Sequence, residues 1–130
     1  MDNSAFSNNQ KNDGQRLTNL DFLHEISDGN MEFFKEFIQT FLDSAPESLE
    51  HLQKAIESND WETIKKTAHK IRPSFNYLGL KDLEKTANKL EQYASEGTNL
   101  GEIPAMVEEI CTVCSKAIAE LQNDLRSLAA

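Results

Sequence analysis

The sequence has few of the residues that tight turns, cross-links and membrane spans require. Its 130 residues include only five glycines, three prolines and two cysteines. So few glycines and prolines provide little material for the turns of an all-β fold, and two cysteines do not make a disulfide framework. No apolar run approaches the ~20 residues that cross a bilayer, and the polar start MDNSAFSNNQKNDGQ contains no secretory signal. We therefore expect a cytoplasmic, single-domain protein without membrane contact.

Negative charge dominates the chain, but one segment has the opposite sign. The formal net charge is −9, which argues against nucleic acid or an anionic membrane as the general partner. Residues 61–76 nevertheless contain one acid, Glu62, and four cations: Lys65, Lys66, Lys70 and Arg72. A local positive patch on an acidic protein indicates one specific anionic ligand.

Apolar residues recur at helical spacing from residue 17 onward, without sustained alternation of period two. Residues 1–16, by contrast, have almost no apolar content and are predicted to be a disordered lead or linker. Over residues 17–128 the spacing predicts four long amphipathic helices with short connections. Such helices favour an all-α, up-down antiparallel four-helix bundle. One or two short N-terminal helical segments would cap one end of the bundle or extend a member.

The stretch DSAPESLEHLQKAI leaves two alternatives open. It is either a kinked continuation of the preceding segment MEFFKEFIQTFL or the start of a new helix. In the second alternative Ser44 is a plausible N-cap, with Pro46 in the first turn.

His69 is predicted to face solvent from one of the long helices. The apolar stripe of that helix steps by three or four residues through Trp61, Ile64, Ala68, Ile71, Phe75 and Leu78. His69 lies about 130° from the centre of this stripe. The plain interpretation is a solvated helix face with an incidental histidine. Against it stand the cationic neighbours and Pro73, which denies the His69 carbonyl its helical N–H partner at a cost of about 3 kcal/mol.

Glu91 is the candidate partner of His69. His69 lies ten residues before Gly79, a predicted left-handed helix end, and Glu91 lies twelve residues after it. If Gly79 joins two antiparallel helices, the two side chains sit at similar heights along the pair. A carboxylate bonded to Nδ1–H would fix the tautomer and leave Nε2 as the nucleophile. Together with the cationic surround, this arrangement suits an imidazole that holds a phosphoryl group.

The stretch AHKIRPSFNYLGL resembles the signature of histidine-containing phosphotransfer (Hpt) domains. His69 matches the phosphoacceptor, Ile71 the aliphatic position, Ser74 the small residue and Gly79 the helix-ending glycine ten residues after the histidine. Glu91 ends KTANKLE, which is similar to the family segment whose polar residue hydrogen-bonds the histidine. The likeness extends over roughly residues 17–125.

Two positions depart from the family pattern. Arg72 replaces the usual lysine, which keeps the charge but changes its shape and reach. Pro73 replaces the usual glycine, which in the family leaves room for the partner to approach the histidine. This second departure bears on partner docking more than on phosphoacceptance.

The resemblance implies a phosphorelay intermediate. His69 would take a phosphoryl group from the aspartate of one receiver domain and pass it to another, with Glu91 orienting the imidazole and Arg72 balancing phosphate charge. The implied partners are receiver domains and a hybrid sensor histidine kinase, and the receiver would supply the magnesium. The chain itself would be a phosphoryl carrier, not an enzyme, with no ATP site, no metal and no cofactor of its own. A monomer is the simplest expectation.

The residues implied in partner binding surround His69 on its helix and extend to the helix end. They are Lys65, Lys70, Pro73, Ser74, Asn76 and Gly79. The alternative function is a helical adaptor that keeps the bundle, has lost phosphotransfer and docks a receiver or kinase domain.

The pair Cys111 and Cys114 has the spacing of redox and zinc sites. Both would lie on the buried side of a helix, and the sequence offers no second ligand pair for zinc. We therefore interpret them as ordinary core residues.

Overall fold

A computed structural model describes residues 16–129 of the chain. The helices are α1 (Asp21–Ser27), α2 (Met31–Glu57), α3 (Trp61–Tyr77), α4 (Lys81–Glu96) and α5 (Ile103–Ala129), with a 3-10 turn at Leu100–Glu102. No strand occurs in this part of the chain. None of its helices combines the length and apolar character needed to cross a bilayer. The predicted disordered lead, residues 1–16, lies outside the described residues except for Arg16.

Helices α2 to α5 form the bundle. Each packs against the next along the chain, and α5 closes the ring by packing against α2. Because short connections reverse the chain between consecutive helices, the four helices run alternately up and down. The short helix α1 packs against α2. The predicted all-α, up-down antiparallel four-helix bundle with a short N-terminal helical segment is thus confirmed.

The first long helix is continuous through its proline. Helix α2 runs from Met31 to Glu57 with Pro46 inside it, so DSAPESLEHLQKAI continues the preceding segment. Ser44 is therefore an interior residue and not an N-cap. The cap is Asn30, whose side chain accepts the N–H of Phe33 at 3.0 Å. Apolar side chains buried on both sides of the proline hold the helix against the core: Phe34, Ile38, Phe41, Ala45, Leu49 and Leu52.

The core lies between the four long helices and is filled by the predicted stripes. From α3 and its C-terminal end it receives Ile64, Ala68, Ile71, Phe75 and Leu78, while Trp61 is half-buried. Cys111 and Cys114 are buried in the same core, which confirms their packing role. Burial raises the pKa of the Cys114 thiol to about 12. Among residues 16–129 no group of three or more His, Cys, Asp or Glu side chains is placed to hold a metal ion.

Local capping fixes both ends of α3. Asp60 accepts the backbone N–H of Thr63 at 3.1 Å and its hydroxyl at 2.7 Å. These hydrogen bonds from Thr63 lower the pKa of Asp60. At the other end Gly79 has a φ of +71°, in the left-handed region that glycine adopts without penalty. The predicted helix-ending glycine is confirmed, and together with the Asp60 cap it sets where α3 begins and ends.

The chain just before α1 fastens one end of the bundle. The backbone N–H of Asn19 donates to the carbonyl of Leu78 at 3.0 Å, at the turn between α3 and α4. Glu120 of α5 accepts the backbone N–H groups of Leu17 at 2.8 Å and Thr18 at 3.0 Å. The entry segment therefore connects the α3–α4 turn to the last helix, a connection that helical periodicity does not predict.

Candidate functional site

His69 lies midway along α3, on the face that points away from the core. Its side chain is 67% exposed, whereas the preceding Ala68 is fully buried. The prediction that this imidazole faces solvent is confirmed. A partner can therefore reach the ring without opening the bundle.

Glu91 of α4 holds one nitrogen of this imidazole. The Nδ1 atom of His69 and the Oε2 atom of Glu91 are 2.9 Å apart. Because a carboxylate only accepts, Nδ1 carries the hydrogen, and Nε2 of the neutral ring keeps its lone pair. The juxtaposition predicted from the positions of the two residues around the α3–α4 turn is present in the structure.

Core packing brings the two side chains to the same place. Leu90 is buried immediately before Glu91, as Ala68 is before His69, so each polar residue stands at the edge of a core stripe. Helix α3 packs more extensively against α4 than against any other helix. The carboxylate is 25% exposed, and it is carried by the helix whose position relative to His69 is most firmly set.

Arg72 lies one turn after His69 and extends toward α4. Its Nη1 donates a hydrogen bond to Oδ1 of Asn88 and lies 3.5 Å from Oε1 of Glu91. Four side chains thus form a cluster with two members on each helix, both pairs separated by three residues. Sequence reasoning missed Asn88. The matching one-turn spacing of the two pairs is the signal that could have found it.

The positive segment is partly neutralised by its own acid. Glu62 lies 3.4 Å from Nζ of Lys65 and 3.6 Å from Nζ of Lys66. Lys70 is exposed and forms no ion pair with another residue of the described part of the chain. Exposed ion pairs of this kind are weak, at about 0–1 kcal/mol each. All three ammonium groups can therefore turn to an anion that binds at the surface of α3.

A protein-family model matches most of this chain. The model for the Hpt domain aligns with residues 36–130, which include α3, α4 and the pair of His69 and Glu91. The chain belongs to the Hpt domain family. Hpt domains are histidine phosphotransfer modules of two-component phosphorelays, and they serve as phosphocarriers rather than classical enzymes.

Curated relatives of this Hpt domain are phosphorelay proteins of greater length. Multistep phosphorelay regulator 1 of Schizosaccharomyces pombe is 28% identical over 106 residues, which cover 81% of the chain and 36% of the relative. Phosphorelay intermediate protein rdeA of Dictyostelium discoideum is 29% identical over 73 residues, which cover 56% of the chain and 29% of the relative. The chain thus spans about a third of the length of the curated relatives it matches.

Two solved structures share the fold. Histidine-containing phosphotransfer protein B from Pseudomonas aeruginosa superposes with a TM-score of 0.76 at 19% identity, over 85% of this chain and 96% of the other. The HPT domain of a sensor hybrid histidine kinase from Shewanella superposes with a TM-score of 0.76 at 23% identity, over 86% and 96%. At these identities the likeness establishes the Hpt bundle and nothing finer.

Three predicted partner-binding residues of this Hpt domain lie in the C-terminal half of α3. Pro73 is exposed and Asn76 is half-buried. Ser74 lines a cleft of about 270 Å³ between α2 and α3, together with Phe33 and Phe37. The α2 side of this cleft is part aromatic and part polar, and Phe33 is 41% exposed. The structure therefore places an exposed aromatic ring of α2 close to the predicted partner-binding residues of α3.

Gly79 lies against the chain that precedes α1. A β-carbon added to it would stand 2.8 Å from the backbone nitrogen of Asn19 and 2.7 Å from its Cβ, closer than real contacts allow. The absence of a side chain at Gly79 thus allows the α3–α4 turn to pack against Asn19. The assignment of Gly79 to partner binding stays a prediction.

Proposed function

We propose that His69 is the phosphoacceptor of this Hpt domain. In this reaction its Nε2 attacks the phosphorus of a receiver's aspartyl phosphate, the bond from phosphorus to the aspartate oxygen breaks, and the aspartate leaves as a carboxylate. The reverse attack by the aspartate of a second receiver discharges the histidine. One observation carries the proposal: an exposed imidazole whose Nδ1 lies 2.9 Å from a carboxylate oxygen.

Glu91 orients and stabilises the reacting ring. With Nδ1–H committed to the carboxylate, the ring presents Nε2 and cannot adopt the other neutral tautomer without losing that hydrogen bond. Attack through Nε2 places positive charge on the imidazole, and an adjacent carboxylate favours that charge. The chain thus contributes position and charge, which are the main requirements of phosphoryl transfer.

The cations of α3 balance the incoming phosphoryl charge. Arg72 is the nearest guanidinium in sequence, and Lys65 and Lys70 stand on the same helix with their ammonium groups at the surface. Phosphate carries more charge than one cation offsets, so several weakly committed cations suit a group that arrives and leaves.

The partner surface combines this positive face with the cleft between α2 and α3. Pro73, Ser74 and Asn76 form its α3 side, and Gly79 marks its limit at the helix end. The proposed partners are receiver domains, with a hybrid sensor histidine kinase upstream. We propose that the protein acts in the cytoplasm as a monomer.

A labelling experiment tests the function. The protein is incubated with a receiver carrying a radioactive aspartyl phosphate, and the chain is assayed for label that is acid-labile and alkali-stable. We expect label on the wild type and on a His51→Gln control, because His51 is another exposed histidine on a different helix. We expect none on His69→Gln. Absence of label from the wild type, or its persistence in His69→Gln, would overturn the proposal.

The adaptor function is the second candidate, and the observation that favours it is an exposed Pro73 at the glycine position of the family signature. An adaptor would bind the receiver without becoming labelled. Receiver binding measured by calorimetry alongside the labelling assay separates the two functions: binding without label supports the adaptor, and transfer excludes it.

A further inference from the structure

The two oxygens of the Glu91 carboxylate have different surroundings. Oε2 receives the hydrogen bond from Nδ1 of His69 at 2.9 Å. Oε1 is buried and accepts no hydrogen bond from the described residues. Its nearest charged neighbour is Nη1 of Arg72 at 3.5 Å, an ion-pair distance rather than a hydrogen bond. A buried carboxylate oxygen is costly unless a charge compensates it, so Arg72 is the group that makes this position of Glu91 tolerable.

Asn88 determines where Arg72 lies. The same Nη1 atom that faces Glu91 donates a hydrogen bond to Oδ1 of Asn88. A guanidinium only donates, so Asn88 must present its carbonyl oxygen to Arg72. Asn88 is exposed, and Arg72 is 30% exposed. A long side chain at such a site has many rotamers in solvent, and the hydrogen bond to Asn88 selects the one that lies beside the carboxylate.

We propose that Asn88 is a positioning residue for phosphotransfer, acting through Arg72 on Glu91. The inference rests on the proposed function of His69. Asn88 fixes the guanidinium, the guanidinium holds Oε1, and the carboxylate is thereby kept on Nδ1 of His69. The tautomer and orientation of His69 therefore depend on Asn88, an uncharged side chain that does not contact the imidazole.

The contacts of Arg72 with Asn88 and Glu91 also refine the role of this arginine. In the unphosphorylated protein its guanidinium is committed to α4, so the exposed Lys70 is the freer cation for an arriving phosphoryl group. Arginine suits the bridging position because its planar group offers several donors in a fixed arrangement, whereas a lysine is a single point charge. The departure from the family's usual lysine and the presence of Asn88 therefore belong to one arrangement.

A double-mutant cycle tests the proposal. Single-turnover transfer from a phosphorylated receiver is measured for the wild type, Asn88→Ala, Glu91→Ala and the double variant, with Asn123→Ala as the control for the same substitution at an exposed helical site. We expect Asn88→Ala to lower the maximal transfer rate about three- to tenfold, the scale of one hydrogen bond, with the half-saturating receiver concentration unchanged. In the Glu91→Ala background the same substitution should have no further effect.

A spectroscopic measurement adds a readout that general destabilisation would not move. The ¹⁵N chemical shifts of the His69 ring report the fraction of each neutral tautomer, and Asn88→Ala should increase the Nε2–H fraction while circular dichroism shows an intact bundle. Equal rate losses in both backgrounds, a wild-type rate, or unchanged ring shifts would each overturn the inference. Those outcomes differ from failure of the proposed function, in which the wild type would not be labelled at all.

Discussion

The effect of replacing Gly79 on stability can be measured against Gly97, a second glycine with the same backbone conformation. Gly79 and Gly97 both have a φ of +71°. A β-carbon at Gly79 would meet the backbone of Asn19, whereas one at Gly97 would meet nothing within 4 Å. Alanine at either site suffers the left-handed penalty of about 1–2 kcal/mol. At Gly79 the overlap adds about 1–3 kcal/mol, the usual range for overpacking.

We therefore expect Gly79→Ala to lower the free energy of unfolding by about 2–5 kcal/mol and Gly97→Ala by about 1–2 kcal/mol. Urea denaturation followed by circular dichroism gives both values from the shift in midpoint at constant slope. The entropic effect of alanine on the unfolded chain is the same in both variants and cancels in their difference. Equal losses would show that the close approach of Gly79 and Asn19 does not constrain the fold.

The same variant separates folding from docking. Gly79 is ten residues from His69 along the chain, and most of that distance is helix at about 1.5 Å per residue, so the two lie roughly 15 Å apart. If Gly79 acts only in the fold, the folded fraction of Gly79→Ala should transfer phosphate at the wild-type rate and bind the receiver normally. A weakened receiver affinity in fully folded protein would instead support the predicted place of Gly79 in the partner surface.

Three further predictions concern other positions. Glu91→Ala removes the 2.9 Å contact to His69 and should slow phosphotransfer by roughly 10- to 100-fold, as expected for a charge-assisted hydrogen bond. Glu91→Gln should recover part of the rate. A rate for Glu91→Ala within about twofold of the wild-type rate would contradict the orienting role of Glu91. Pro73→Ala restores an N–H donor to the His69 carbonyl and should raise the free energy of unfolding by about 1–3 kcal/mol. An unchanged urea midpoint would contradict this prediction. The pKa of Cys114 rises from 9.0 to about 12 on folding, so the unfolded chain loses this proton first and the free energy of unfolding should fall as pH rises through that window. The fall should be shallower in Cys114→Ala. Parallel plots of unfolding free energy against pH for the two proteins would refute the raised pKa of Cys114.

Much of the bundle was predictable because apolar spacing reports the buried face of each helix directly. The stripe from Ile64 to Leu78 is buried as expected, and the outward direction of His69 follows from the same arithmetic. The boundary inside α2 was less predictable. A serine followed two residues later by proline matches a helix start, yet Pro46 lies inside one long helix because the core on both sides of it holds the helix together.

The pairing of Glu91 with His69 was only partly predictable. Counting residues from Gly79 places both at one height, but height alone leaves open how far each helix is rotated toward the other. The rotation is set by interlocking of the two stripes, which a single sequence does not specify. For the same reason Asn88 was missed: its only signal was a one-turn spacing that is common on exposed helix faces.

Residue order along the chain was enough to predict the class of fold, the solvent-facing position of His69 in a basic segment and the match to the phosphotransfer signature, because helical spacing and sequence motifs are properties of that order. Three sets of contacts follow only from three-dimensional packing: Arg72 turns to Asn88 and Glu91, Phe33 of α2 borders Ser74 of α3, and Asn19 lies on Gly79. These contacts join residues on different segments. Their distances depend on how side chains of several helices pack at once, and periodicity along any one helix carries no information about that packing.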